Sequence, residues 1–310
     1  MGQLAFLYNF YIINSFAVPP RYKQMGSFYK LYNGERKIPT PTIVVGGNHE
    51  SSDFLHLLPF GGWLAPDIFY TGRASSLRIG DVTISAISGL YQSSFYYEKV
   101  NENYPIRSEN DLHKCFHIRS FSDFQLLGLD NTQIMLSHDW PSGIPEKYGG
   151  SYLQTRKNTL IESDKKHTFG LNKGLKIIEK LKPQMWFASH HHIFFKTDVD
   201  ETKFYAFPKT TIKHWFDVFE VESNDAIYPI KYRGEWLSIL KATSLEMENP
   251  EVLKNVNWDE RWESYKTKLE KIDDCPVGPF ELNPYEYTAK FCIDHNIYCP
   301  NKEIRDYMDK

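Results

Sequence analysis

The run Thr42-Ile43-Val44-Val45 ends at Gly46-Gly47-Asn48-His49-Glu50, and this junction constrains the chain more than any other stretch. An apolar run that stops at two glycines and a polar triplet reads as a buried parallel strand, delivering side chains at its carboxyl edge, where open α/β sheets hold ligands. The glycines allow a sharp turn and a close approach to a ligand. Asn48 offers a neutral amide oxygen, and His49 a group that titrates near neutrality. Taken alone, the triplet is equally compatible with an ordinary surface turn.

Two later strand ends repeat the pattern. Residues 132–136 form an apolar run that passes into Ser137-His138-Asp139-Trp140-Pro141. His138 can act there as ligand or base, with Asp139 or a backbone group fixing its tautomer. Residues 170–181 carry Leu171, Leu175, Ile178 and Leu181 at helical spacing and close at Lys182-Pro183. The strand expected over 184–188 then runs into Ser189-His190-His191-His192. Strand alternation points His190 and His192 the same way and His191 away, as an incidental neighbour.

Around these ends the spacing predicts strands at 68–70, 76–79 and 82–87, the last two as a hairpin turning at Gly80-Asp81, and at 203–207 and 214–221. Residues 19–37 read as a solvated helix covering the sheet, 54–58 as a short helix, and Gly61-Gly62-Trp63 as a loop beside the site. Residues 89–119 look polar and irregular, with Tyr91, Lys99, Arg107, His117 and Arg119 among further aromatics. A loop of that length is usually functional or disordered, and its mixture of rings and cations suits a single-stranded nucleic acid. From about 225 onward strand pattern fades and charged helices are expected at 235–241 and 258–271.

With a formal net charge of -3 the chain is not a broadly cationic domain, so any nucleic-acid partner would have to be met by a local basic face. Four cysteines in 310 residues do not make a disulfide framework, which favours a reducing compartment, the cytosol or nucleus. Cys275, Cys292, His295 and Cys299 fit no C-x-x-C zinc spacing. The apolar start lacks a basic n-region and a cleavage site, so no signal peptide is expected; no stretch qualifies as a membrane span. No glycine-rich phosphate loop is present, which argues against a nucleotide cofactor.

Asn48, His138, His190 and His192 offer one amide oxygen and three imidazoles, a donor set for Fe2+, Mn2+ or Zn2+. His49 adjoins a ligand without being one. It is placed to stabilise charge on a phosphoryl group or to protonate a departing oxygen. With Gly61-Gly62-Trp63, Ser88-Gly89-Leu90-Tyr91 and Leu181-Lys182-Pro183-Gln184, these motifs resemble the RNA lariat debranching enzymes of the calcineurin-like metallophosphoesterase superfamily. Ser137-His138-Asp139-Trp140-Pro141 is the most specific string.

The resemblance implies an α/β fold, a metallophosphoesterase-like β-sandwich of mixed sheets flanked by helices with an α-rich C-terminal extension. Its divisions would fall at 1–222 and 223–310. It implies hydrolysis of the 2′–5′ phosphodiester of branched lariat RNA by a nuclear monomer. Asn48, His138, His190 and His192 would hold metal and His49 would be catalytic, while Tyr91, Lys99, Arg107, His117 and Arg119, in the insertion at 89–119, would contact RNA. The family opens with Cys-x-His, Gly-Gln-Leu and then a Gly-Asp whose Asp bridges two metals. Here Gly2-Gln3-Leu4 is present, Met1 stands where the His would be, and no Asp precedes Asp53. With these amino-terminal motifs missing, the expectation is one metal or none where the family has two, and impaired catalysis. The alternatives are a non-catalytic RNA- or protein-binding module and a phosphoesterase for another substrate.

Overall fold

A computed structural model describes residues 15–102, 104–106, 108–225 and 229–310. Two mixed sheets flanked by helices form the body. Strands β1 (Thr42–Val44), β2 (Gly62–Ala65) and β3 (Ile68–Tyr70) make a small sheet in the order β1-β3-β2, with β1 parallel to β3. The large sheet contains β4 (Ala74–Ile79), β5 (Val82–Ile87), β6 (Ile134–Ser137), β7 (Met185–Ala188), β8 (Phe195–Val199), β9 (Thr202–Ala206), β10 (Lys231–Tyr232) and β11 (Cys275–Pro276). Its order is β11-β10-β4-β5-β6-β7-β9-β8, and β5, β6, β7 and β9 run parallel.

Alternation along β3 shows how the small sheet divides two cores. Phe69 points into the main core, whereas Ile68 and Tyr70 point into a smaller one with Val44, Phe54, Leu58 and Leu64. Residues beyond 229 have no core of their own among the described residues. Trp236, Trp262, Phe291 and Ile304 belong to the main cluster, and β10 extends the large sheet by pairing with β4. Trp262 stacks on Phe124 at 4.7 Å and donates its indole N–H to the Phe124 carbonyl. Among the described residues no helix is long and apolar enough to cross a membrane.

Several local expectations are corrected. Residues 19–37 contain only a 3-10 turn at Pro20–Tyr22 and one helical turn at Tyr29–Tyr32, with Phe28 buried, so no helix covers the sheet there. Gly62 and Trp63 lie in β2, and the Trp63 indole donates to the Gly278 carbonyl, so this segment serves the C-terminal packing. No strand forms at 214–221; the sheet closes instead with the β8–β9 hairpin. The helix expected over 258–271 is Trp258–Tyr265 followed by a 3-10 turn.

Residues 89–119 are packed rather than irregular. Short helices form at Ser93–Tyr96 and Glu109–Cys115, the latter capped by Ser108. Both ends of the insertion are clasped together, with the Leu90 amide donating to Phe116 and the Ile118 amide to Leu90. Tyr96 is buried and donates its hydroxyl to Asp123, itself 1% exposed. Burial pushes the Asp123 carboxyl up to about 6 from 3.8.

A raised carboxyl binds its proton more tightly in the native state, so this group's contribution to stability falls as pH rises from 3.8 to about 6. Asp123→Asn, which keeps an acceptor for Tyr96, is expected to remove that dependence. Urea unfolding above pH 6 should then show the variant more stable by up to about 3 kcal/mol, with the gap closing below pH 4. Parallel pH profiles for the two proteins would contradict the raised pKa.

Candidate metal centre

Four strand ends meet at one place because two sheets are tied together there. In the large sheet β5, β6 and β7 are parallel neighbours, so their carboxyl ends lie side by side. The small sheet contributes the end of β1. The Gly89 amide donates to the Gly46 carbonyl at 2.9 Å, and the Gly46 amide donates to Ser88 Oγ at 3.0 Å. Gly89, at φ 93°, could not carry a side chain, since a Cβ would lie 2.0 Å from the Phe116 carbonyl oxygen. Gly47 is required for a different reason. A Cβ there would come within 2.7 Å of His138 Cε1, so the imidazole occupies space that only glycine leaves.

The result is a hollow of about 490 Å³ including its mouth, lined by Asn48, His49, Glu50, His138, His190 and His192. His138 Nε2 lies 3.1 Å from Asn48 Oδ1, and the His138 and His190 rings are 5.0 Å apart. Thus the hollow brings together all five residues expected to catalyse or hold metal. Strand alternation is not the cause for the histidines after β7. That strand stops at Ala188, and His190 and His192 adopt φ of 59° and 55°, a looped backbone.

His191 does not line the hollow, in keeping with the expectation that it points away, but it is not incidental. Its ring stacks on Phe169 at 4.8 Å and meets the edge of Trp140, with Nε2 3.5 Å from Asp139 Oδ1. Ligand atoms of Asp139, His190 and His191 all lie within 4.8 Å of one another, a second set that could hold an ion. Both Asp139 oxygens already accept backbone N–H groups, from Trp140 and Tyr91. Sequence reading gave Asp139 only a tautomer-fixing role, although its place next to His138 was a usable signal.

Electrostatics favours neutral donors. Burial, helped by neighbouring His190, lowers His138 to about 3, and burial lowers His190 to about 4. His49 and His192 are also lowered by burial. At neutral pH these rings are uncharged and keep a lone pair for a cation. Burial raises the Asp139 carboxyl, but His191, His190 and the Tyr91 amide together hold it below its ordinary value.

One pair of the donors stands at the spacing of two ligands on one divalent ion, whereas His138, His190 and His192 do not bring their ring nitrogens within 4.8 Å of one another as a set. Ligands about 2.1 Å from one ion stand roughly 3.0–3.4 Å from each other, and the Asn48–His138 separation falls in that interval. His49 Nδ1 is buried without a partner, leaving that ring free for a proton-handling role.

The residues expected to meet RNA are scattered. Lys99 is exposed and Tyr91 half-buried, its ring against Tyr96. His117 holds Nδ1 3.1 Å from the Leu90 carbonyl oxygen, and burial lowers it to about 4. Arg119 is fully buried, paired with Glu102 and donating to the Lys114 and His117 carbonyls; it braces the insertion from inside and is not exposed on the surface. Arg107 lies outside the described residues. Exposed Trp215 and Phe216 form an aromatic pair that the expected strand at 214–221 concealed. Lys209 lies close enough to help lower His192.

No family model matches the chain. Curated relatives do. The chain is 35% identical to a lariat debranching enzyme of Arabidopsis thaliana over 74% of its own length and 56% of the relative's. It is 34% identical to lariat debranching enzyme A of Xenopus laevis over 83% of this chain and 52% of that one. For the lariat debranching enzyme of Mus musculus the figures are 34%, 85% and 52%. The chain spans about half the length of the curated relatives it matches. Over most of its residues the chain is therefore similar to the lariat debranching enzymes.

Proposed function

We propose that the hollow is a metal-dependent phosphodiesterase site acting on the 2′–5′ bond of branched RNA. The observation that carries this reading is the 3.1 Å contact between Asn48 and His138 beside His190. It sets an amide oxygen and one neutral imidazole at ligand spacing, with a second imidazole alongside, at the carboxyl edge of parallel strands. Asn48 and His138, with His190 and His192 on the same wall, would hold a divalent ion, which when bound would supply Lewis acidity and lower the pKa of a water. His49 stands on the same wall and transfers a proton to or from the reacting phosphate ester. Lys99 and the Trp215–Phe216 pair offer a cation and stacking faces for RNA outside the hollow. Processing of intron RNA would place the chain in the nucleus, acting as a monomer.

Activity is expected to be weak. The carboxylates nearest the donors are Glu50, whose carboxyl burial pushes well above its usual range, and Asp139, whose oxygens are engaged by two amides. Neither supplies the bridging negative charge that two adjacent cations need. That observation favours one ion over two, and gives the second reading, a branched-RNA-binding module without turnover, its support.

The deciding experiment offers the purified chain a branched 2′–5′ RNA and a linear 3′–5′ RNA with Mn2+ or Fe2+. Cleavage confined to the branch supports the phosphodiesterase. Retained binding without cleavage supports the binding module, and hydrolysis of small phosphate esters alone would remove RNA from the account.

A further inference from the structure

Behind the hollow lies a second, narrow cavity that shares Gly47 and Glu50 with the first. Its wall carries two guanidiniums, Arg73 and Arg119, against one carboxylate, Glu50, and three serines, Ser52, Ser88 and Ser122. Arg119 is 0% exposed and Arg73 9% exposed. Buried arginines ordinarily meet a carboxylate, because a desolvated cation without one costs several kcal/mol.

Arg119 satisfies this rule through Glu102. Arg73 does not. Its terminal nitrogens reach only the Cys115 carbonyl at 3.5 Å and His56 Nδ1 at 3.4 Å, both near the limit of a hydrogen bond. Among the described residues no carboxylate lies within ion-pair distance of it; Glu303 is the nearest in the chain of contacts, on the far side of His56. The Nε–H groups of both Arg73 and Arg119 are buried and have no acceptor. Two orphan guanidinium donors on one cavity wall describe half of a binding site, and the missing half is an acceptor-rich anion.

We propose that this cavity binds a single phosphate group, with Arg73 as its principal ligand and Arg119 Nε and the serine hydroxyls completing it. The tetrahedral oxyanion could be inorganic phosphate or a terminal phosphate on an oligonucleotide; both present the same acceptors. The proposal does not depend on the metal centre or on turnover.

Thermal unfolding of the full chain, dialysed against chelator, tests it. Inorganic phosphate should raise Tm saturably, and a 5′-phosphorylated dinucleotide should do the same only if a nucleic-acid phosphate can enter, the unphosphorylated dinucleotide serving as its control. Arg73→Met should bind phosphate at least tenfold more weakly. Without phosphate its Tm should hold or rise, because an unpaired buried charge has been replaced by an apolar chain of similar length. A purely structural Arg73 predicts the opposite, a lower Tm. Arg73→Lys, which keeps charge but loses Nε, should fall between. Asn48→Ala and His190→Ala should retain the phosphate response. If they lose it while Arg73→Met keeps it, phosphate sits in the metal hollow and the proposal is overturned, with the phosphodiesterase reading untouched. No phosphate response in the parent chain overturns it as well.

Discussion

His49→Ala is expected to lower branch cleavage by about 10²–10⁴-fold, the usual worth of a positioned proton donor or acceptor, while metal uptake and RNA binding stay near their starting values. The separation follows from placement. His49 lines the hollow next to Asn48, yet the close donor contact is between Asn48 and His138, and His49 keeps a buried Nδ1 with no partner. Removing it therefore takes away no member of that contact and disturbs no hydrogen bond made by that nitrogen. Single-turnover rates with saturating Mn2+, set beside RNA affinity from a filter assay, check both halves. A variant of unchanged rate would remove His49 from the mechanism, and one that lost metal would make it a ligand.

Trp140→Ala should have the largest effect on stability, about 3–5 kcal/mol. The side chain is fully buried, stacked on Phe195 at 5.4 Å and edge-on to Phe169 and Phe204, so little can collapse into the space it leaves. Its indole N–H also donates at 2.7 Å to the Ser189 carbonyl, the residue before the histidine loop. The same change should thus loosen His190 and weaken metal binding. Trp140→Phe keeps most of the packing but not the donor, and should cost about 1–3 kcal/mol. Denaturant unfolding measures the first effect and metal titration the second; equal metal affinity in all three proteins would show that the loop is held by other contacts.

The parts legible in the sequence are those governed by short-range pattern. Apolar runs ending in polar triplets located β1, β6 and β7, and the Gly80-Asp81 turn located the β4–β5 hairpin. What escaped depends on partners distant in the chain. Arg119 looked like an exposed RNA contact because nothing nearby announces that Glu102 pairs with it inside the protein. His191 looked idle because alternation was applied past Ala188, where the backbone has already turned to positive φ. The apparent loop at 89–119 is ordered by its own buried residues, Tyr96, Leu112 and Ile118, spaced too irregularly to register as helix or strand. Trp215 and Phe216 fell within a stretch whose spacing reads as a strand, but residues 214–221 pair with no strand among the described residues.

The clasp between Gly46 and the Ser88–Gly89 turn joins a sheet that carries Asn48 and His49 to another that carries His138, His190 and His192. An ion seated there would act as a rivet between two leaves of the protein. Its affinity is consequently a gauge of how firmly the leaves are pressed together, and a substitution far from any donor, if it lets one leaf slip, will register first as lost metal and only later as lost fold.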